Sequence, residues 1–226
     1  MIINKKPKRS FIHLHKCCGK TISNILIEQF GYEEVRSQPF QAHDGVNENK
    51  YLDSYRNFIS IREPVEILCS KFSMRIKNNN KFKESDFDTF LENYFNNNID
   101  TISSPKEHNP IRQARYFLYR AFPTGLITHQ MLFQTCDVSN IYKYSNVEDF
   151  FINENKIDHI VRKENLKNDL ISFLGKEFEI KHKNSSNLTK KFLRSLTKEQ
   201  KQQILSKEQL FFKLYKGEFD DYIRGH

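Results

Sequence analysis

FIHLHKCCGKT, from Phe11 to Thr21, decides the reading of this chain. An apolar run that stops at a turn of Lys, Cys and Gly and restarts as helix-forming residues is the pattern of a strand, a loop and a helix. The spacing predicts a strand over Ser10 to His15, a turn over Lys16 to Gly19, and a helix over Lys20 to Phe30 with Ile22, Ile25, Leu26 and Phe30 on one face. Such a unit aims backbone N–H groups and the positive end of the helix at one point, which makes a phosphate site. Gly19 lets the backbone come close, and Lys16, Lys20 and Thr21 add donors. As a Walker A loop, Gly19, Lys20 and Thr21 fit the GK[ST] ending, but Leu14 stands where the leading glycine belongs. His13, His15 and Cys17 alternate along the expected strand and resemble a ligand set, although core or pocket lining is the commoner use of such a pattern.

Outward from this unit the pattern repeats. NFISIR, Asn57 to Arg62, reads as a second strand, and Pro64 suits the first turn of a helix whose Val65, Leu68, Cys69, Phe72 and Ile76 share a stripe. HIVR, His159 to Arg162, reads as a third strand, followed by a helix from Glu164 to Leu174. Lys77 to Lys83 reads as a surface loop, Asp86 to Phe95 as a short amphipathic helix and Asn96 to Pro110 as irregular. Ile111 to Phe122 reads as a helix with Tyr116, Phe117 and Tyr119 as packing candidates, and the chain after Leu188 as mostly helical. Strands alternating with helices predict an α/β fold, a three-layer αβα arrangement with a central parallel sheet, a P-loop-like anion loop and a helical C-terminal third. With 226 residues and no Pro/Gly/Ser-rich linker, residues 1–226 are expected to form one domain.

Composition narrows the function. Twenty Phe and ten Tyr exclude disorder, because they supply the apolar area that offsets chain entropy. The least charged stretch, Ala121 to Cys136, is broken by Pro123, Gly125, His129 and Gln130, well short of the roughly 20 apolar residues of a spanning helix. The basic start, MIINKKPKRS, is followed by an apolar run too short for a signal peptide, so a cytoplasmic site is expected. The formal net charge of +8 favours anionic partners. Cys17, Cys18, Cys69 and Cys136 offer no zinc-like spacing, so reduced thiols and no metal are expected.

The chain resembles the sulfotransferases that use 3′-phosphoadenosine 5′-phosphosulfate (PAPS), particularly the carbohydrate and heparan-type branch. FIHLHKCCGKT looks like that family's 5′-phosphosulfate loop, usually FIHxPKTGGT, with His15 for Pro and Cys17, Cys18 and Lys20 for Thr, Gly and Thr. ISIREPVEILCSKF, Ile59 to Phe72, is similar to the 3′-phosphate segment, usually VRDPVERxxSxY, with Arg62, Pro64, Val65, Glu66 and Ser70 kept and Glu63 for Asp. DHIVRKENLKNDLISFL, Asp158 to Leu174, resembles the family's later strand and helix. KHKNSSN, Lys181 to Asn187, looks like its Asn/Ser loop, and LYKGEFDDY like its aromatic and acidic ending.

The resemblance implies transfer of a sulfuryl group from PAPS to a hydroxyl, most simply of a glycan. It assigns Lys16 to the leaving phosphate and transferring group, and the backbone of Cys17, Cys18, Gly19, Lys20 and Thr21 to the 5′-phosphate. Arg62 and Ser70 fall to the 3′-phosphate, and Lys181, Asn184, Ser185 and Ser186 to closing over the nucleotide. His43, in PFQAHDG, falls where heparan-type members often carry a catalytic His, with His15 and His108 the other histidines for the role of base. The spacing agrees: Ser70 falls about two turns into the helix that follows Arg62, so both can face the carboxyl edge of the sheet, where ligands of open α/β sheets bind. Three rival readings stay open. One is a P-loop kinase using ATP and Mg²⁺, against which stand the missing glycine and a second strand that ends in Arg62 instead of Asp. Another is a nonenzymatic basic protein that binds nucleic acid or acidic polymer. The third is a relative whose Cys17-Cys18 loop binds nucleotide without turnover.

Overall fold

A computed structural model describes residues 1–34, 47, 53–79, 81–96, 110–180 and 186–223. The fold is α/β around a mixed five-stranded sheet. Strand β1 (Ile2–Lys5) turns through Lys6 and Pro7 into β2 (Lys8–Ile12), and the two pair antiparallel with Ile2 opposite Phe11. Helix α1 (Gly19–Phe30) leads to the two-residue β3 (Glu33–Glu34), which pairs antiparallel with β1. Strands β4 (Arg56–Ile61) and β5 (His159–Arg162) run parallel to β2, giving the order β3-β1-β2-β4-β5.

The sheet is therefore not all-parallel, as the strand and helix alternation predicts. Only β2, β4 and β5 pair parallel, and β1, which pairs antiparallel with both β2 and β3, supplies the difference. Met1, Ile2 and Ile3 are buried, so the apolar start of the chain folds back along β2 while the Lys5 to Lys8 turn stays in water. That pairing also starts β2 at Lys8. The chain leaves the sheet after Ile12, so His13, His15 and Cys17 do not line one face of a strand.

Alternate strand residues face opposite sides. Ile2, Phe11, Phe58 and Val161 pack with Ile22, Ile25 and Leu26 of α1 and with Leu170, Phe173 and Leu174 of α7 (Leu166–Leu174). Ile3, Ile12, Ile59, Ile61 and Ile160 pack in a second cluster. Its partners include Leu118 of α4 (Pro110–Ala121), Leu132 of α5 (Leu126–Thr135), Phe150 of α6 (Val147–Glu154) and Phe211 of α10 (Gln209–Lys216). A third cluster joins α2 (Pro64–Asn78) to α3 (Phe87–Phe95), α8 (Asn187–Ser195) and α9 (Lys198–Lys207) around Phe72. All five residues of the predicted α2 stripe lie in it. In α4 the packing residue is Leu118, while Phe117 is exposed.

Helix α6 starts at an Asn146 cap with Glu148 and Asp149 in its first turn, whereas α5 carries no sequence signal of its own. From Ile127 to Thr135 nearly every residue of α5 is buried, so no polar face marks a period. Its start is fixed from a distance by Glu208, at the junction of α9 and α10. This fully buried carboxylate accepts hydrogen bonds from the backbone N–H groups of Ile127 (3.0 Å) and Thr128 (2.7 Å) and from the hydroxyls of Thr128 and Tyr94 (2.7 Å each). Gly125 leaves room for it: a Cβ there would lie 2.3 Å from the carboxylate. Among the described residues no helix is long and apolar enough to cross a membrane.

Candidate functional site

The carboxyl ends of β2, β4 and β5 lie side by side, and each feeds a loop or helix with charged residues. After β2 the chain turns through Leu14 to Cys18, with Cys17 N–H donating to the Leu14 carbonyl (3.3 Å). Two residues of this turn are left-handed without being glycine, Lys16 at φ 68° and Cys18 at φ 61°. Gly19 has an ordinary helical backbone, and its missing side chain serves a different need. A Cβ on Gly19 would sit 1.6 Å from Nε2 of His13, whose ring rests on this turn and stacks on Phe11 at 5.8 Å. The neighbouring strand holds the turn from below, where the Ser60 hydroxyl donates to the Cys17 carbonyl.

Helix α1 starts from this turn with its positive end open. Its N-cap, Cys18, makes no side-chain capping bond, and no acidic residue lies in the first turn. Lys16 is half-buried beside it; burial and the nearby Arg62 guanidinium both push its pKa below that of an ordinary lysine. Burial drives the Cys17 thiol up to about 12 and raises Cys18 as well, so neither is a thiolate nucleophile near neutral pH. Lys20 is exposed and Thr21 half-buried.

Arg62 is the first residue after β4. Its Nε donates to Glu66, one turn into α2, and Glu66 also accepts from Lys163 Nζ (2.6 Å), the first residue after β5. Burial alone would raise the Glu66 pKa, but the bonds from Lys163 and Arg62 outweigh it and hold the carboxyl below its usual range. Glu63 caps α2, accepting from the Glu66 backbone N–H (2.9 Å). Glu164 is exposed at the same edge, where burial first and then the nearby Glu164 charge push the Tyr215 phenol up to about 12.

The structure thus brings Lys16, the Cys17 to Thr21 turn and Arg62 to one edge of the sheet. Ser70 lies half-buried on α2, two turns beyond Arg62. Ser186 starts α8, a helix docked on α2 through a Thr189 to Ser73 hydroxyl bond (3.1 Å) and the Phe72 and Phe192 rings (5.0 Å apart). His43, His108, Lys181, Asn184 and Ser185 lie outside the described residues. Sequence reasoning missed Lys163, Glu66 as the link between two strand ends, and Lys71. Lys71 lies in α2, buried, with Nζ donating to Gln130 of α5 (2.9 Å); burial lowers its pKa to about 8, partly countered by Glu208. Lys163 had a signal, a cation directly after a predicted strand as Arg62 is. Lys71 had none, since a lysine beside an apolar stripe reads as solvated.

An open depression lined by Glu92, Phe95, Asn96, Gln203, Ser206 and Lys207 shares no residue with this edge. Compared with known proteins, the chain matches no family model, no curated protein and no solved structure.

Proposed function

We propose that residues 1–226 form one sulfotransferase-like domain, a three-layer αβα unit with a P-loop-like anion loop, that transfers a sulfuryl group from PAPS to a hydroxyl of a carbohydrate. The observation that carries the reading is the convergence of Lys16, the open end of α1 and Arg62 at the carboxyl edge of parallel strands β2 and β4. Two separate groups of donors at one edge suit a nucleotide with phosphates at two positions. The residues also fit in detail. Cys18 is left-handed at the position where the resembled motif carries glycine, and Arg62 meets Glu66 through Nε, which leaves the Nη fork as the bidentate donor to a phosphate.

In this reading the backbone N–H groups at the start of α1 and the Lys16 ammonium hold the 5′-phosphate side, and Arg62 with Ser70 the 3′-phosphate. When bound, PAPS supplies the activated sulfuryl group. Lys16 offsets the negative charge that builds on the leaving oxygen, and its half-buried setting strengthens that interaction over what water would allow. The proton of the acceptor hydroxyl passes to a base, a role the resemblance gives to His43. The resemblance gives Asn184 and Ser186 to closing over the nucleotide.

The test is calorimetric titration with adenosine 3′,5′-bisphosphate, with ATP plus Mg²⁺ as the competing ligand. Preferential binding of the bisphosphate, lost in Arg62→Ala, is expected. A preference for ATP, or no preference for either nucleotide, would overturn the reading. Lys16→Ala is expected to abolish turnover while retaining much of the bisphosphate binding.

A further inference from the structure

Beyond the loop and Arg62, a further cation stands at the same edge. In the β4 and β5 ladder Ile61 lies opposite Arg162, so the next residue on each strand, Arg62 and Lys163, leave the sheet side by side. Their side chains then converge on one carboxylate. Glu66 accepts from Arg62 Nε and from Lys163 Nζ at 2.6 Å, with the Arg62 side chain 11% and the Lys163 side chain 33% exposed. Both cations also act electrostatically on Cys18, the N-cap of α1, so the pair lies within range of the loop. Two like charges on neighbouring strand ends repel, and Glu66 between them offsets one of the two, while Glu164 at the same edge is the second carboxylate that acts on Cys18.

We propose that Lys163 is a further cation of this anion site, forming with Arg62 a two-pronged grip on one phosphate group, and that Glu66 is the positioning residue that holds both prongs. Arg62 supplies a planar fork and Lys163 a compact charge with further N–H donors beyond the one given to Glu66. The grip belongs to the β4 and β5 side of the edge and the Lys16 loop to the β2 side, so the two act on different phosphates. Naming these as the 3′- and 5′-phosphates of an adenine nucleotide rests on the function proposed above; the grip itself requires only a phosphate-type anion. The opposing possibility is an ion triad that serves the fold alone.

The experiment compares wild type, Lys163→Met, Lys163→Arg and Glu66→Gln, using calorimetry with adenosine 3′,5′-bisphosphate and adenosine 5′-monophosphate and thermal shifts with inorganic pyrophosphate. Lys163→Met is expected to weaken the bisphosphate about tenfold or more and leave the monophosphate nearly unchanged, with Lys163→Arg restoring most of the loss. Glu66→Gln is expected to weaken the bisphosphate by a smaller factor, because both cations remain and only their placement is lost. Bisphosphate affinity in Lys163→Met equal to wild type would overturn the inference and leave the nucleotide reading standing. If wild type bound neither nucleotide but pyrophosphate still raised its melting temperature, and less so in Lys163→Met, the nucleotide reading would fall and the grip would stand. In that case, an equal pyrophosphate shift in both proteins, or none in wild type, would overturn the grip.

Discussion

Cys18 holds φ at 61°, a conformation that costs an L-residue roughly 1–2 kcal/mol and a glycine nothing. Its side chain repays part of this by packing beside the α1 and α7 cluster. Cys18→Gly is expected to raise the unfolding free energy by about 0.5–1 kcal/mol, measured by urea titration; a loss of stability would mean that the packing outweighs the strain. Gly19 next to it has the opposite constraint. Gly19→Ala drives a methyl group into His13 and is expected to cost about 1–3 kcal/mol. The double variant with His13→Ala should recover most of that loss. Lys71 gives a pH signature. Its folded pKa, near 8, lies below the ordinary 10.5, so between those values the unfolded chain binds more protons and stability rises with pH. Unfolding of wild type and Lys71→Met at pH 7 and pH 10 should show wild type gaining on the order of 2–3 kcal/mol relative to the variant. These constraints differ in how far the sequence discloses them. The glycine of a GKT ending announces a tight loop, but that Cys18 takes the left-handed position while Gly19 makes room for a histidine depends on contacts across the turn.

Elements show the same divide. Helix α2 is legible because Pro64 starts it and its apolar residues fall on one stripe, as Val65, Leu68, Cys69, Phe72 and Ile76 do. Helix α5 is not, because it is buried all round and its capping group comes from Glu208, about eighty residues later. Glu208→Ala would strand four donors in the interior, two of them backbone N–H groups of α5, and is expected to cost at least about 3 kcal/mol. Gly125→Ala should destabilise the same junction by collision with Glu208 while leaving its donors in place. Urea unfolding of the two single variants and the double variant checks both statements, and the double is expected to cost less than the sum because the Gly125 methyl then has nothing to meet. The strands divide likewise. HIVR was legible residue for residue, whereas β1 was hidden because its short apolar start precedes a basic turn that reads as a tail.

Across the whole molecule, the sheet edge with the loop is tied to the far end of the chain. Arg162, the last residue of β5, donates to the carbonyls of Leu214 (3.3 Å) and Tyr215 (3.1 Å) and pairs with Asp220 at 2.5 Å, at the start of α11 (Asp220–Ile223). Arg162→Met is expected to loosen the C-terminal helices, lowering the melting temperature by several degrees and speeding limited proteolysis after residue 207. The α/β class, the three parallel strands and the helical C-terminal part follow from alternation of strand and helix patterns, and Lys16 and Arg62 from where those patterns end. The antiparallel hairpin and the Glu66 link do not, since each depends on a partner that no local pattern names.

The parallel ladder also sets an order of events during synthesis. The Asn57 backbone N–H is bonded to the Asp158 carboxylate 101 residues later, and β4 meets β5 only across that span. A ribosome that has made the loop, Arg62 and α2 has therefore produced a sheet whose β4 edge is bare. Pairings of such long separation close slowly and leave apolar strand edges uncovered meanwhile. The chain emerges with the β2 and β4 part of its carboxyl edge long before the β5 part, and during that interval the unpaired side of β4 is the surface a chaperone, or a second nascent chain, would meet first.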